Sequence, residues 1–184
     1  TSYAAQTIFP MLTKTDRNFF EGGNGNKGSY TTHVYDDYGN ITRFADAGDT
    51  GSSDDVVASI GYSLDCKASS YVIGKPLTIE VNGAGQRMRS RTGSIDCTSG
   101  NLTQLSQDLG NGSAAVTDLV YEANGNLKRI TGPANLKGQR YSIDYAYDSA
   151  VATYVSSVTD SFGYSSGATY DYALGKPLTS TDLN

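Results

Sequence analysis

The chain of 184 residues has no tryptophan, a single histidine, two cysteines and only four prolines, and three of its nineteen acidic residues are glutamate. Two cysteines and one histidine cannot assemble a four-ligand zinc site, and there is no Cys-x-x-Cys pair. Fourteen basic residues against nineteen acids leave a net charge of −5 and a pI near 4.7, so the basic footprint that duplex nucleic acid or an anionic membrane attracts is missing. No apolar run approaches the ~18 residues of a membrane-spanning helix, and none reads as a secretory h-region. The expectation is a soluble chain with no nucleic-acid partner and no membrane insertion.

What is abundant is 14 Tyr, 21 Gly and 16 Asp. Tyr favours strands, Gly and Asp supply turns, and the helix formers are scarce, so the composition predicts an all-β protein with many turns. Period-2 alternation over Tyr141 to Asp148, Tyr30 to Asp36 and Leu77 to Asn82 marks half-buried strands. The nearest approach to a helical period, Leu102 to Leu109, is bounded on both sides by Gly-Asn. Turn clusters separate the strands, among them 22–28, 46–54, 82–85 and 111–112.

Internal repetition organises this pattern. Tyr71-Val-Ile-Gly74-Lys-Pro-Leu-Thr78 matches Tyr172-Ala-Leu-Gly175-Lys-Pro-Leu-Thr179 almost literally. Looser copies are Val34-Tyr-Asp-Asp-Tyr-Gly39-Asn-Ile-Thr-Arg43, Ile95-Asp-Cys-Thr-Ser-Gly100-Asn-Leu-Thr-Gln104 and Val120-Tyr-Glu-Ala-Asn-Gly125-Asn-Leu-Lys-Arg129, with a degenerate copy at Tyr147-Asp148 that lacks its Gly. In each unit a strand ends in Tyr-Asp, the Asp accepts turn N–H groups, Gly takes a positive φ, and Asn-Ile/Leu restarts the alternation. Each unit is then a β-hairpin, and because a lone hairpin is marginal in water the units must pair side by side. The division expected is a lead-in strand and Gly-rich loop over 1–27, followed by a hairpin array over 28–184.

Tyr35-Asp36, Tyr121-Glu122, Tyr147-Asp148 and Tyr170-Asp171, with their following glycines, resemble the YD repeats of the RHS (rearrangement hotspot) family, over roughly residues 28 to 184. In bacterial polymorphic toxins, the B and C components of Tc toxins and the related teneurins, such repeats form a strip of β-sheet that spirals into a hollow shell around a C-terminal toxic domain. The resemblance implies a structural segment of a secreted or cell-surface bacterial protein. Its partners would be the remainder of the parent protein and an encapsulated toxin domain. The family's core segment that ends the shell has no counterpart here, so the chain reads as a fragment of a longer protein. A fragment with open strand edges would also pair edge to edge with copies of itself.

Other chemistry was weighed against this reading. His33 is the only imidazole, on a strand, and reads as a surface residue rather than a partner for Cys66 or Cys97. Asp36 with Asp37, Asp54 with Asp55, and Asp144 with Asp148 could on paper supply the two carboxylates of a glycoside hydrolase, but Asp36, Asp148 and Asp171 share one repeat position and are assigned to turns. Asp46, Asp49, Asp54 and Asp55 form an oxygen-rich stretch that could hold Ca²⁺ but lacks EF-hand spacing, and the Gly22 to Lys27 run has Lys27 where a calcium repeat needs Asp. No catalytic, cofactor-binding or metal-binding residue is therefore assigned, no cofactor is expected, and the protein is read as non-enzymatic. Sequons at Asn40, Asn101 and Asn111 follow from hairpin chemistry, and in a bacterial chain they carry no glycan. Surface Tyr stacking on a cell-surface glycan is the alternative function, with a hydrolase behind it. Cys66 and Cys97 sit in matching Ser-x-Asp-Cys contexts. A disulfide is conceivable if these lie on neighbouring strands, and a buried free thiol is the plainer expectation.

Overall fold

The computed structural model describes residues 10–20, 22, 27–49 and 51–182. The chain divides into two compact units, Thr1–Thr92 and Gly93–Asn184, and strand order follows chain order. In the first unit β1 (Lys14–Phe19), β2 (Lys27–Tyr35), β3 (Ile41–Ala47), β4 (Val56–Tyr62), β5 (Pro76–Gly83) and most of β6 (Gln86–Ile95) form successive antiparallel ladders. The second unit contains β7 (Leu102–Asp108), β8 (Ala114–Tyr121), β9 (Leu127–Ala134), β10 (Arg140–Tyr147), β11 (Val155–Asp160), β12 (Ser165–Asp171) and β13 (Lys176–Thr181), again paired antiparallel in order. The all-β hairpin array expected from the repeats is what the structure contains. The Leu102 to Leu109 stretch contains strand β7 and no helix, with Gln104 to Asp108 laddered antiparallel on β8.

Among the described residues of each unit the strand backbones come close only to their ladder neighbours, and no strand lies face to face on another. Cys66 is accordingly the only buried hydrophobic residue among the described ones, while the buried polar residues are Thr31, Ser63 and Asp148. Strand side chains are half-exposed for the most part. The units are held by ladder hydrogen bonds and cross-strand pairs, such as Ile60 opposite Ile79 and Leu119 opposite Ile130, rather than by a core. Among the described residues β13 pairs only with β12, and it is exposed along all six residues.

The β4–β5 connection departs from a simple hairpin. A 3₁₀ turn (Leu64–Cys66) runs into one helical turn, α1 (Lys67–Ser70), which ends at Tyr71 with φ 57°. The repeat pattern places the left-handed residue of this turn at Gly74, but Tyr71 takes it, its N–H donating to Lys67 O at 3.2 Å. The longer loop moves the chain reversal three residues upstream of the literal repeat.

Neither cysteine is free: Cys66 and Cys97 are both disulfide-bonded, which corrects the expectation of a buried thiol. Cys66 ends the 3₁₀ turn almost fully buried. The expected outcome of thiol titration on the unreduced, denatured protein is no reactive thiol, and two after reduction. Reagent uptake by the unreduced chain would remove the bridge.

Candidate functional site

The recurring side-chain arrangement is a clasp at one end of successive hairpins. Tyr35, Tyr62, Tyr121, Tyr147 and Tyr170 each sit where the register of the ladder shifts, a β-bulge near the end of an even-numbered strand. The bulge turns the ring back across the preceding strand. Tyr62, Tyr147 and Tyr170 donate their hydroxyls to the carbonyls of Ile41, Leu127 and Val155, each the first residue of the strand before, at 3.0 Å. Tyr35 donates likewise to Leu12 O, just ahead of β1, at 3.1 Å. Each phenol therefore closes the open end of its own hairpin.

The residue after the tyrosine organises the turn. Asp36 accepts the N–H groups of Tyr38 and Asn40 and the amide of Asn40, each at 2.9 Å. Burial alone would raise its pKa, and these hydrogen bonds from Asn40 and Tyr38 outweigh it and hold the carboxyl below the usual range. Asp96 is lowered by the Thr98 N–H and the Ser99 hydroxyl. Asp148 goes furthest, accepting four N–H groups, from Ala150, Val151, Thr153 and Tyr154, at 2.7 to 3.1 Å. Burial pushes it up, yet those bonds bring it down to about 2. Where Ser63 replaces the acid, its hydroxyl donates to Val72 O and accepts the Lys75 N–H.

The asparagine after the marker glycine links one turn to another. Asn40 Nδ2 donates to Ile73 O at 3.1 Å, and Asn126 Nδ2 to Ala152 O at 2.6 Å, each reaching the connection two strands along within its own unit. Asn101, in the matching position, instead lines a cavity of about 420 Å³ together with Asp96 and Glu122. The sequon at Asn40 therefore lies on an amide already engaged in the fold.

The residues considered for catalysis and metal binding are placed as follows. His33 stands on β2 against Phe44, ring centroids 5.3 Å apart, with Tyr35 at 6.4 Å, and its Nδ1 is buried without a hydrogen-bond partner. Both sulfurs are in disulfide linkage and offer it no thiolate. Asp144 is held by Arg129 through two oxygens, at 2.6 and 2.8 Å, and Asp148 by its turn, so this pair is engaged with other groups. Asp54 accepts the Asp49 N–H, and Asp49 pairs with Lys27 at 2.8 Å. Among the described residues no group of three His, Cys, Asp or Glu could hold a metal ion. Most of the Gly22 to Lys27 run and the last two residues of the chain lie outside the described residues.

The tyrosines divide by role. Tyr38, Tyr71, Tyr141, Tyr164 and Tyr172 are exposed, whereas Tyr154 stacks on Tyr170 at 4.8 Å beside the clasp. The sequence missed Tyr62 as a clasp residue because no acid follows it. It also missed the turns Asn135 to Gly138 and Asp160 to Gly163, in which Asn135 and Asp160 accept N–H groups two and four residues on. An Asx residue three before a glycine is the signal that would have found both.

No family model matches the chain, and no curated protein matches it. Solved structures do. The chain is similar to one in the crystal structure of a TcdB2-TccC3-Cdc42 assembly, at 12% identity and a TM-score of 0.49, over 82% of this chain and 9% of that one. It is also similar to one in a Tc holotoxin pore of Photorhabdus luminescens carrying a TccC3 substitution, at 11% identity and a TM-score of 0.48, over 89% of this chain and 10% of that one. The chain spans about a tenth of the length of each.

Proposed function

We propose that the chain is a non-enzymatic wall segment of a secreted or cell-surface bacterial YD-repeat protein, whose hairpin array encloses or presents another polypeptide. The observation that carries this reading is the repeated clasp. A bulged tyrosine whose hydroxyl bonds backbone and a following turn acid recur together at Tyr35–Asp36, Tyr147–Asp148 and Tyr170–Asp171, and Asp36 and Asp148, which composition offered for chemistry, are taken up by these turns. The asparagine links from turn to turn favour a continuous wall over independent hairpins. Disulfide-bonded cysteines suit export. No helix among the described residues is long and apolar enough to cross a membrane.

The test is limited proteolysis of the full-length parent protein. An enclosing wall leaves the polypeptide that follows the repeats intact under conditions that digest the same polypeptide expressed alone. Equal digestion rates would overturn enclosure, and loss of a turnover activity on substituting His33 or Asp37 would overturn the non-enzymatic role.

A further inference from the structure

The chain contains four Asn-Gly steps, of which Asn24-Gly25 lies outside the described residues. Such a step can close a five-membered ring if the glycine N–H is free, the asparagine carboxamide faces it, and the backbone has room to move. The three described steps differ on these counts.

Asn82-Gly83 is in β5, laddered on both sides, with Asn82 opposite Val57 and Arg87 and its Nδ2 donating to Glu80 at 3.0 Å. Extended backbone in a two-sided ladder resists the rotation that ring closure needs. Asn124-Gly125 lies in the β8–β9 turn, where the Gly125 N–H that would attack is donated to Glu122 O at 2.9 Å. Asn126, the next residue, is fixed to Ala152.

Asn111-Gly112 sits at the tip of the β7–β8 hairpin, exposed, with Gly112 at φ 82° and nothing within 4 Å of the place a Cβ would occupy. Among the described residues its N–H has no backbone acceptor outside the ladders, and the loop is closed instead by Leu109 N–H on Ser113 O. Asn111 Oδ1 accepts the Ser113 N–H at 3.0 Å. That bond turns the carboxamide toward the following peptide and polarises its carbonyl carbon. Asn124 makes the same bond to Asn126, so the freedom of the glycine N–H is what separates the two turns.

We propose that Asn111 is a modification site, deamidating spontaneously through a succinimide with Gly112, while the fold protects Asn82 and Asn124. The Gly112 nitrogen forms a bond to Asn111 Cγ, the Cγ–Nδ2 bond breaks, and the glycine N–H proton leaves with the amide nitrogen as ammonia. Water then opens the ring at either carbonyl, giving aspartate or isoaspartate. The product carries a new negative charge next to the turn that Asp108 organises through Gly110 N–H. In the isoaspartyl form the backbone at the tip is one carbon longer.

Folded protein held at mildly alkaline pH and physiological temperature would be sampled over time. Each Asn-Gly peptide is read by mass spectrometry and by isoaspartyl methyltransferase labelling. Conversion at 111 is expected to be at least about tenfold faster than at 82 and 124, with the three rates converging in denaturant. Asn111→Gln should abolish the signal at 111 and leave the other two unchanged. Equal rates in the folded protein, faster conversion at 124, or no conversion at 111 while the denatured chain reacts would each overturn the assignment.

Discussion

Replacing Asp148 with alanine is expected to lower the thermal unfolding midpoint of the chain at neutral pH by about 5–10 °C. Four turn N–H groups lose their acceptor in the β10–β11 connection, where the carboxylate is 6% exposed and water replaces it poorly. The same carboxylate sets a pH dependence. Its folded pKa of about 2 lies below the ordinary 3.8, so its contribution is complete above about pH 3.8 and is lost as pH falls toward 2. Asp148→Asn should therefore flatten the acid limb of a midpoint-against-pH curve between those values as well as lower the plateau. Asp37→Ala, an exposed neighbour of a turn acid, serves as the control and should move the midpoint little. Circular dichroism melts across pH read all three, and an Asp148→Ala midpoint equal to that of the parent chain would remove the clasp as a stabilising device.

The case of Asp148 also shows how far the repeat could be read in the sequence. Tyr-Asp followed by Gly is legible at 35–39 and 170–175, and the turn carbonyl does receive the glycine N–H there, Gly39 on Asp36 at 3.1 Å and Gly175 on Asp171 at 2.8 Å. At 147–148 the glycine is absent, and the copy reads as degenerate. In the structure Ala152 adopts φ 50° and donates its N–H to Asp148 O at 3.2 Å, so the turn is kept with an alanine in the strained position. The extra carboxylate bonds hold that conformation in place. Tyr62 was illegible for a different reason. Ser63 stands where the turn acid would be, and the connection that follows contains two helical segments, so spacing gives no cue.

The hydroxyl links themselves leave no trace in spacing. Tyrosine and acceptor are 15, 20, 21 and 23 residues apart, because the loop between the paired strands varies while the geometry of the ladder does not. Pro76 and Pro177 make the same point from the other side. Both face the clasp tyrosine across the bulge, Tyr62 and Tyr170, where the ladder is already interrupted and a missing N–H costs little. The literal repeat Gly-Lys-Pro-Leu-Thr thus marks a shared strand entry, though the turns before the two copies differ. For the candidate site, the acids were legible as turn formers, whereas the bulge that aims each tyrosine was not.

Arg140→Ala is expected to destabilise the second unit by about 1–3 kcal/mol, the largest effect outside the clasp. Its guanidinium donates Nε to Gly132 O at 2.7 Å, Nη1 to Asp118 at 2.6 Å, and Nη2 to Val116 O and Thr131 O at 2.9 and 3.0 Å. One side chain at the start of β10 thereby reaches across β9 to β8, and Asp118 extends the link to Gln104 of β7 at 2.8 Å. With the units lacking a buried core, such a cross-strand link carries a larger share of stability than it would on a packed domain. The arginine is two-thirds covered, unlike Arg129, whose pairing with Asp144 is half-exposed and should matter much less when removed. Arg140→Lys separates geometry from charge: a single ammonium cannot span four acceptors on two strands, so lysine should recover only a minor part of the loss. Urea unfolding of the three variants measures this ordering. Full recovery by lysine, or an Arg140→Ala change no larger than that of Arg129→Ala, would show that the ladder alone holds β7 to β10 together.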